Sequence, residues 1–410
     1  MTASYAHVDA EGNVVIPAEV ARALGFEPGA RVKLGRLPDR LVLQRPTNQL
    51  ARIYVEPTTA CNLQCRTCIR NVWDEPLGRM DGETFGRILE GIQALPAPPM
   101  VFFGGLGEPL LHPEFLDMVR EAKRLDAPVE AITNGLLLDD ARIEALIDVA
   151  LDTLWVSIDG ATPDCYADVR REGDLPRVIA NLERLRDLKI QKRVTRPVLG
   201  ISFVAMRRNL AELPEVLRLE HRVGARKFLV SNVYPHTPDL LTEILYRRSI
   251  GESLWSRSTI RLPRMDPEQT VAGILQNAMH GLYTPRLEGP EVLWPPDTCP
   301  FVSRGSTCVR WDGSVSPCLP LLHTHTSYLE NRLRSTGAYT VGSVRERGLQ
   351  EIWMSPEYVA LRRRLEDFDF PPCTACNSCE MADANQEDCF GNSAPTCGGC
   401  LWAQGFIQCP

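Results

Sequence analysis

Six short runs of apolar and β-branched residues punctuate the middle of the chain, at 52–56, 100–104, 128–133, 153–158, 198–205 and 226–232. The stretches between them carry helical periodicity instead. In 112–125, for example, Phe115, Met118, Val119, Ala122 and Leu125 recur with a 3.6-residue period and define one apolar face. Strands alternating with amphipathic helices predict a parallel α/β barrel or part of one. Functional groups of such barrels sit at the C-terminal ends of the strands. The flanks follow other patterns. Residues 1–46 read strand, short helix, strand, turn, strand, with Pro17 opening the helix, Gly25 stopping it and Pro28-Gly29 making the next turn. Residues 235–298 are less regular, with helices expected around Asp239–Arg248 and Pro267–Leu282. Beyond them the chain is rich in cysteine.

Composition narrows the class. A chain of 410 residues with 44% hydrophobic content supports two or three packed domains and resembles neither a disordered nor a fibrous sequence. The N-terminus lacks a basic start and an apolar stretch, so no signal peptide is expected and the protein is assigned to the cytoplasm. The apolar, uncharged run Gly91 to Gly107 is broken by Pro96, Pro98 and Pro99, which argues against a membrane span. Net charge is −7, and residues 365–410 hold seven acidic side chains with no Lys or Arg, a poor surface for nucleic acid. Fourteen cysteines in a reducing compartment point to metal ligands rather than disulfides.

The most informative of these are Cys61, Cys65 and Cys68, a C-x3-C-x2-C run directly after the first strand of the α/β region. A [4Fe–4S] cube normally takes four cysteines, so three on one loop leave an iron open to a ligand that is not protein. Structural zinc is the alternative, but it prefers paired C-x2-C elements that close a tetrahedron, and no fourth ligand lies nearby in sequence. The run resembles that of the radical S-adenosylmethionine (SAM) enzymes. The resemblance implies that the open iron binds the amino and carboxylate groups of SAM, and that an electron from the cluster cleaves the sulfonium to a 5′-deoxyadenosyl radical.

Later segments strengthen the resemblance in order along the barrel. The second strand runs into Phe103-Gly104-Gly105-Leu106-Gly107-Glu108-Pro109, similar to the element with which that family holds the SAM amino group. Glycines let the backbone approach a ligand, and a carboxylate accepts from an ammonium. The third strand ends Thr133-Asn134-Gly135, and the fourth carries Ser157 and Asp159 ahead of Tyr166 and Arg170. By the same resemblance Ser157 and Asp159 lie near the SAM ribose or methionine, and Arg170 reaches its carboxylate with a bidentate fork. Taken singly, each is also an ordinary polar residue at a strand end. Cys165 is expected to be a buried small residue.

The span from Cys299 through Gly313 to Cys318 resembles the opening of the SPASM domain, which usually holds two auxiliary [4Fe–4S] clusters. The chain departs from that family's second block, with Cys373, Cys376, Cys379 and Cys389 spaced differently and Cys397, Cys400 and Cys409 following. With Cys308, these ten cysteines exceed by two the eight that a pair of fully ligated cubes needs. The reading groups Cys299, Cys308 and Cys318 on one cluster and Cys373, Cys376 and Cys379 on another. A zinc knuckle is the alternative for the tail. Acidic surroundings without Lys or Arg would favour the more oxidised cluster states.

Residues 1–46 resemble the AbrB-like swapped-hairpin family, whose members often dimerise and bind DNA. Six Arg or Lys against five Asp or Glu make a weak electrostatic case for DNA here, so a homodimer or partner docking is expected. The organisation read from sequence is therefore an α/β protein: an AbrB-like domain (1–47), a partial (β/α)6 radical-SAM barrel (48–234), a bridge (235–298) and a SPASM domain (299–410). The tail motifs and the head together resemble the subgroup thought to mature tungsten-cofactor aldehyde oxidoreductases. That implies an oxygen-sensitive maturase acting on a peptide, protein or cofactor, with ferredoxin or flavodoxin as electron donor. Two other readings stay open: a maturase that crosslinks a ribosomally made peptide, and a redox-sensing DNA-binding regulator.

Overall fold

The computed structural model describes residues 5–26, 32–36, 41–43, 46–247, 297–374 and 379–410. Cys376, the Pro28-Gly29 turn and the helix expected at Pro267–Leu282 lie outside the described residues. In the N-terminal region, the first expected strand is a hairpin of β1 (His7–Val8) and β2 (Val14–Val15), paired antiparallel. Gly12 turns the chain at φ 85°, and the Asp9 carboxylate accepts the N–H groups of Glu11 and Asn13. Helix α1 (Ala18–Ala23) follows Pro17 and ends ahead of Gly25, whose φ of 73° reverses the chain at no steric cost. A second hairpin, β3 (Leu34–Arg36) with β4 (Leu41–Leu43), completes this region.

The six apolar runs are strands: β5 (Arg52–Val55), β6 (Met100–Phe103), β7 (Val129–Thr133), β8 (Thr153–Ser157), β9 (Val198–Ala205) and β10 (Lys227–Asn232). They pair in parallel in chain order. Helices α2 (Gly82–Gln93), α3 (Phe115–Arg124), α4 (Asp140–Asp148), α5 (Pro163–Val169), α6 (Leu175–Lys192) and α7 (Leu213–Val223) fall between them. Three of these helices are opened by an aspartate whose carboxylate accepts a backbone N–H of the first turn: Asp81 from Thr84, Asp139 from Arg142 and Asp174 from Arg177. The segment expected as a helix around Asp239–Arg248 contains a short 3-10 turn, Pro238–Thr242.

Burial on both faces explains why the strands read as continuous apolar runs rather than as alternating ones. Ile53, Val55, Val101 and Phe103 pack outward on Phe85, Phe115, Met118 and other helix residues. Tyr54, Phe102, Trp155 and Leu229 face the other way, into a second core. That core is completed by Phe301, Leu322, Trp402 and Phe406 of the C-terminal region, so the C-terminal region packs against the inner face of the strands.

The C-terminal region also continues the sheet. It contains α8 (Pro300–Ser303), β11 (Ser306–Val309), β12 (Ser314–Ser316), β13 (His325–Leu329), β14 (Arg332–Thr336), β15 (Gly342–Ser343), α9 (Leu349–Trp353) and α10 (Pro356–Asp367). Strand β11 lies parallel to β5, with Cys308 opposite Tyr54, and β12 and β15 follow antiparallel. One nine-stranded sheet thus runs through both regions, with the first barrel strand at the junction.

Candidate active site at the strand ends

Four loops meet at the C-terminal ends of β5 to β8. The first, after β5, carries Cys61, Cys65 and Cys68, all half-buried free thiols. It is pinned from several sides: the Arg66 N–H donates to the Val169 carbonyl at 2.8 Å, and the Arg66 guanidinium pairs with Asp168 and Asp239. Arg70 clasps the loop from within, donating to the carbonyls of Thr59 (2.9 Å) and Leu63 (3.0 Å).

Each thiol has its own N–H donor. Asn134 Nδ2 lies 3.9 Å from Cys61 Sγ, Arg170 Nη1 lies 3.8 Å from Cys65 Sγ, and Arg70 Nε lies 3.4 Å from Cys68 Sγ. Two of the three donors are cationic, an arrangement that favours thiolate and stabilises a negatively charged cluster. Burial opposes it, raising the Cys61 thiol and pushing Cys65 up to about 11 against the Arg170 charge. Iron binding would displace those protons.

The sequence reading sent Asn134, Asp159 and Arg170 toward SAM; the fold also ties them to the cysteine loop. Asn134 donates to Asn62 Oδ1 at 2.8 Å, and Asp159, fully buried, accepts from Val204 N at 2.7 Å and pairs with Arg170 at 2.8 Å. Arg170 keeps one buried donor, Nε, with no protein partner among the described residues. That orphaned donor suits an anionic ligand atom at this spot. Ser157 closes β8 opposite Ser202 in register.

Glu108 is more heavily engaged than expected. Its carboxylate accepts from Leu110 N, Thr133 Oγ1 and Asn134 N at 3.1, 2.7 and 2.7 Å, which ties the glycine-rich segment to the end of β7. Burial raises its pKa in spite of these bonds. A carboxylate offers about four acceptor sites, so one remains for an ammonium. In the same segment Gly105 takes φ 97°, and a Cβ on Gly107 would lie 2.0 Å from the Thr58 carbonyl oxygen. Only glycine lets the segment press against the cysteine loop there.

The remaining thiols gather along the C-terminal region. Cys318, Cys397 and Cys400 line one cavity with Tyr234, Arg334 and Trp402. Cys318 senses the charges of Cys299, Cys400, Cys308 and Cys397, which places these thiols in one neighbourhood. Cys308, buried in β11, senses the charge of Cys409 ahead of that of Cys299, whereas Cys409, which receives the Trp402 indole N–H at 3.2 Å, senses that of Cys400. Cys373 lies beside Gly398, Cys379 precedes a short 3-10 turn, and Cys389 is exposed. Among the described residues no three His, Cys, Asp or Glu side chains converge as the ligands of a single ion would. Cys165 is only half-buried, and burial with the nearby Glu212 pushes it up to about 12.

One expectation about the tail is corrected. It has no Lys or Arg of its own, yet Arg334 from β14 and Arg304 after α8 approach Cys397, Cys400 and Cys409. Its thiols therefore do not sit in purely acidic surroundings.

Comparison with known proteins matches residues 55–219 to the radical SAM superfamily, residues 299–380 to the SPASM iron–sulfur cluster-binding domain, and residues 8–51 to the antidote-toxin recognition domain MazE of bacterial antitoxins. A tungsten-containing aldehyde ferredoxin oxidoreductase cofactor-modifying protein of Pyrococcus furiosus is 32% identical over 364 residues, covering 87% of this chain and 96% of the relative. A PqqA peptide cyclase of Gluconobacter oxydans is 28% identical over 44% of this chain and 48% of its own length. Among solved structures, SuiB of Streptococcus suis bound to the precursor peptide SuiA shares the fold, with a TM-score of 0.53 at 14% identity over 76% of this chain and 66% of that one. No helix among the described residues is long and apolar enough to cross a membrane.

Proposed function

Since the chain belongs to the radical SAM family of the tungsten aldehyde oxidoreductase cofactor-modifying protein, we propose that it modifies the cofactor, or a peptide or protein carrier, of such an oxidoreductase. The single observation that carries this reading is the relative's similarity over 96% of its own length and 87% of this chain. In the proposal Cys61, Cys65 and Cys68 hold a [4Fe–4S] cluster, and SAM lies against Gly104, Gly105, Gly107 and Glu108. Bound together, cluster and SAM supply one-electron cleavage of the sulfonium and a carbon radical that takes hydrogen from substrate.

The chain's own residues do the rest. Asn134, Arg170 and Arg70 donate to the three ligand sulfurs. Glu108 retains an acceptor site for the SAM ammonium, Arg170 Nε a donor for its carboxylate, and Ser157 and Asp159 border the same space. Of the ten C-terminal cysteines we assign Cys299, Cys318, Cys397 and Cys400 to one auxiliary cluster and Cys373, Cys376, Cys379 and Cys389 to a second. Cys308 and Cys409 are then left outside both clusters. This sorting moves Cys308 out of the group in which sequence spacing alone had put it, because Cys397 and Cys400 share a cavity with Cys318. A cytoplasmic ferredoxin or flavodoxin would supply the electron.

The test is substrate-dependent turnover. With SAM and a strong reductant, the tungsten–pterin cofactor or its oxidoreductase is expected to raise 5′-deoxyadenosine formation about tenfold or more over the uncoupled rate, since substrate binding energy is used to organise the reactive state. Stimulation by a short cysteine-containing peptide instead would move the chain to the peptide-crosslinking reading, which the similarity to a peptide cyclase favours.

The N-terminal hairpins leave Val8, Val14, Leu34 and Leu41 more than half exposed, a concentration of apolar surface that a lone chain rarely keeps. We assign it to a homodimer. Leu41→Glu is expected to shift the native mass in sedimentation from two chains to one without changing iron content; a native chain that sediments as a monomer would refute the assignment.

A further inference from the structure

The chain of buried charges at the junction of the two regions is absorbed by neither the cysteine loop nor the auxiliary thiols. Glu56 stands one residue beyond β5, and its Oε1 lies 3.3 Å from the Leu106 N–H in the glycine-rich segment. A Cβ on Gly105 would meet the Glu56 Cγ at 2.7 Å, so carboxylate and segment are in direct contact. His323, between Cys318 and β13, places Nε2 at 3.0 and 2.9 Å from the two Glu56 oxygens. Its Nδ1 lies 2.8 Å from Glu75 Oε2, in the loop that follows the three cysteines. Glu75 is held in turn by the Thr324 N–H at 3.1 Å and by Arg310, just past β11, at 2.8 Å.

With a carboxylate at each ring nitrogen, His323 must donate from both and is an imidazolium. Burial works against that charge, but the hydrogen bonds and charges of Glu56 and Glu75 outweigh it, and its pKa is raised. The Trp73 ring lies edge-on, its centroid 4.4 Å from that of His323, and Asp312 pairs with Arg310 beyond Glu75. The ring is 1% exposed, so neither nitrogen is free for a substrate. The two carboxylates lie on opposite edges of the ring, an arrangement that joins two loops rather than one that chelates an ion.

We propose that His323 is a positioning residue through which the C-terminal region fixes the SAM-holding segment: it holds Glu56 against Leu106 and Glu75 against the Thr324 N–H, so the loops flanking SAM take their geometry from a side chain more than 200 residues away. The proposal rests on the reading that SAM binds beside Gly104, Gly105 and Gly107. Neutral substitution at position 323 leaves the buried Glu56 carboxylate without its cation while half-buried Glu75 keeps Arg310, and such a site relaxes by moving Glu56.

The test uses the full chain reconstituted anaerobically with iron and sulfide, reduced, and examined by electron paramagnetic resonance with and without SAM. His323→Ala is expected to keep its iron content and its spectrum without SAM, to raise the KM for SAM about tenfold, and to change the spectrum recorded with SAM; His323→Gln, which retains one donor for Glu56, is expected to fall between. If His323→Ala comes out short of iron, Glu75→Gln carries the test, with a KM rise of about threefold and the same spectral change. Variants with native KM and native SAM-bound spectra would overturn the proposal. A native chain whose cluster spectrum does not respond to SAM would instead overturn the binding reading beneath it.

Discussion

Cys65→Ala is expected to abolish reductive cleavage of SAM, lowering 5′-deoxyadenosine formation by more than about 10³-fold, a loss of over ~4 kcal/mol in barrier terms. Cys65 is the middle of the three loop thiols, and its donor Arg170 is itself paired with the buried Asp159. In the proposed site three cysteines hold a cube that normally takes four, so with two left the variant is expected to lose about four irons along with activity. The barrel should survive the change, because the loop is anchored independently by Arg66 on Val169 and by Arg70 on Thr59 and Leu63. The decisive readouts are iron content and 5′-deoxyadenosine by chromatography. Activity retained at even a tenth of native would show that this loop does not carry the reaction.

The second large effect belongs to the C-terminal thiols grouped with Cys318. Cys400→Ser is expected to remove about four irons while leaving the loop cluster and uncoupled SAM cleavage in place. Cys400 shares a cavity with Cys318 and Cys397, and burial raises its thiol, as it does that of each neighbour. Half-buried thiols gathered beside the Arg334 guanidinium are a set that a metal would ligate as thiolates. Substrate-coupled turnover should fall more than uncoupled cleavage. Full iron content in Cys400→Ser would hand the fourth ligand to Cys308 or Cys409.

Much of the barrel was legible because parallel strands buried on both faces leave unbroken apolar runs, and these coincide with β5 to β10. The three loop cysteines were legible for a different reason: their ligand spacing is local. What escaped was whatever depends on contacts distant in sequence. Glu56 and His323 are 267 positions apart, and neither carries a motif. The parallel pairing of β11 with β5 follows from the open edge of a partial barrel, which no local pattern marks. Asn134 and Arg170 were recognised as site residues, but their N–H···S contacts were invisible until the strand ends were brought together. The first strand of the head was read as continuous because its apolar positions hid the Asp9 turn.

The measurement that bears most directly on the central claim is the iron content of the anaerobically reconstituted native chain, taken together with 5′-deoxyadenosine formation from SAM under a strong reductant. The account predicts about twelve irons per chain, three cubes of four, and deoxyadenosine that is absent without reductant. About four irons with zinc in the tail and no deoxyadenosine would contradict it.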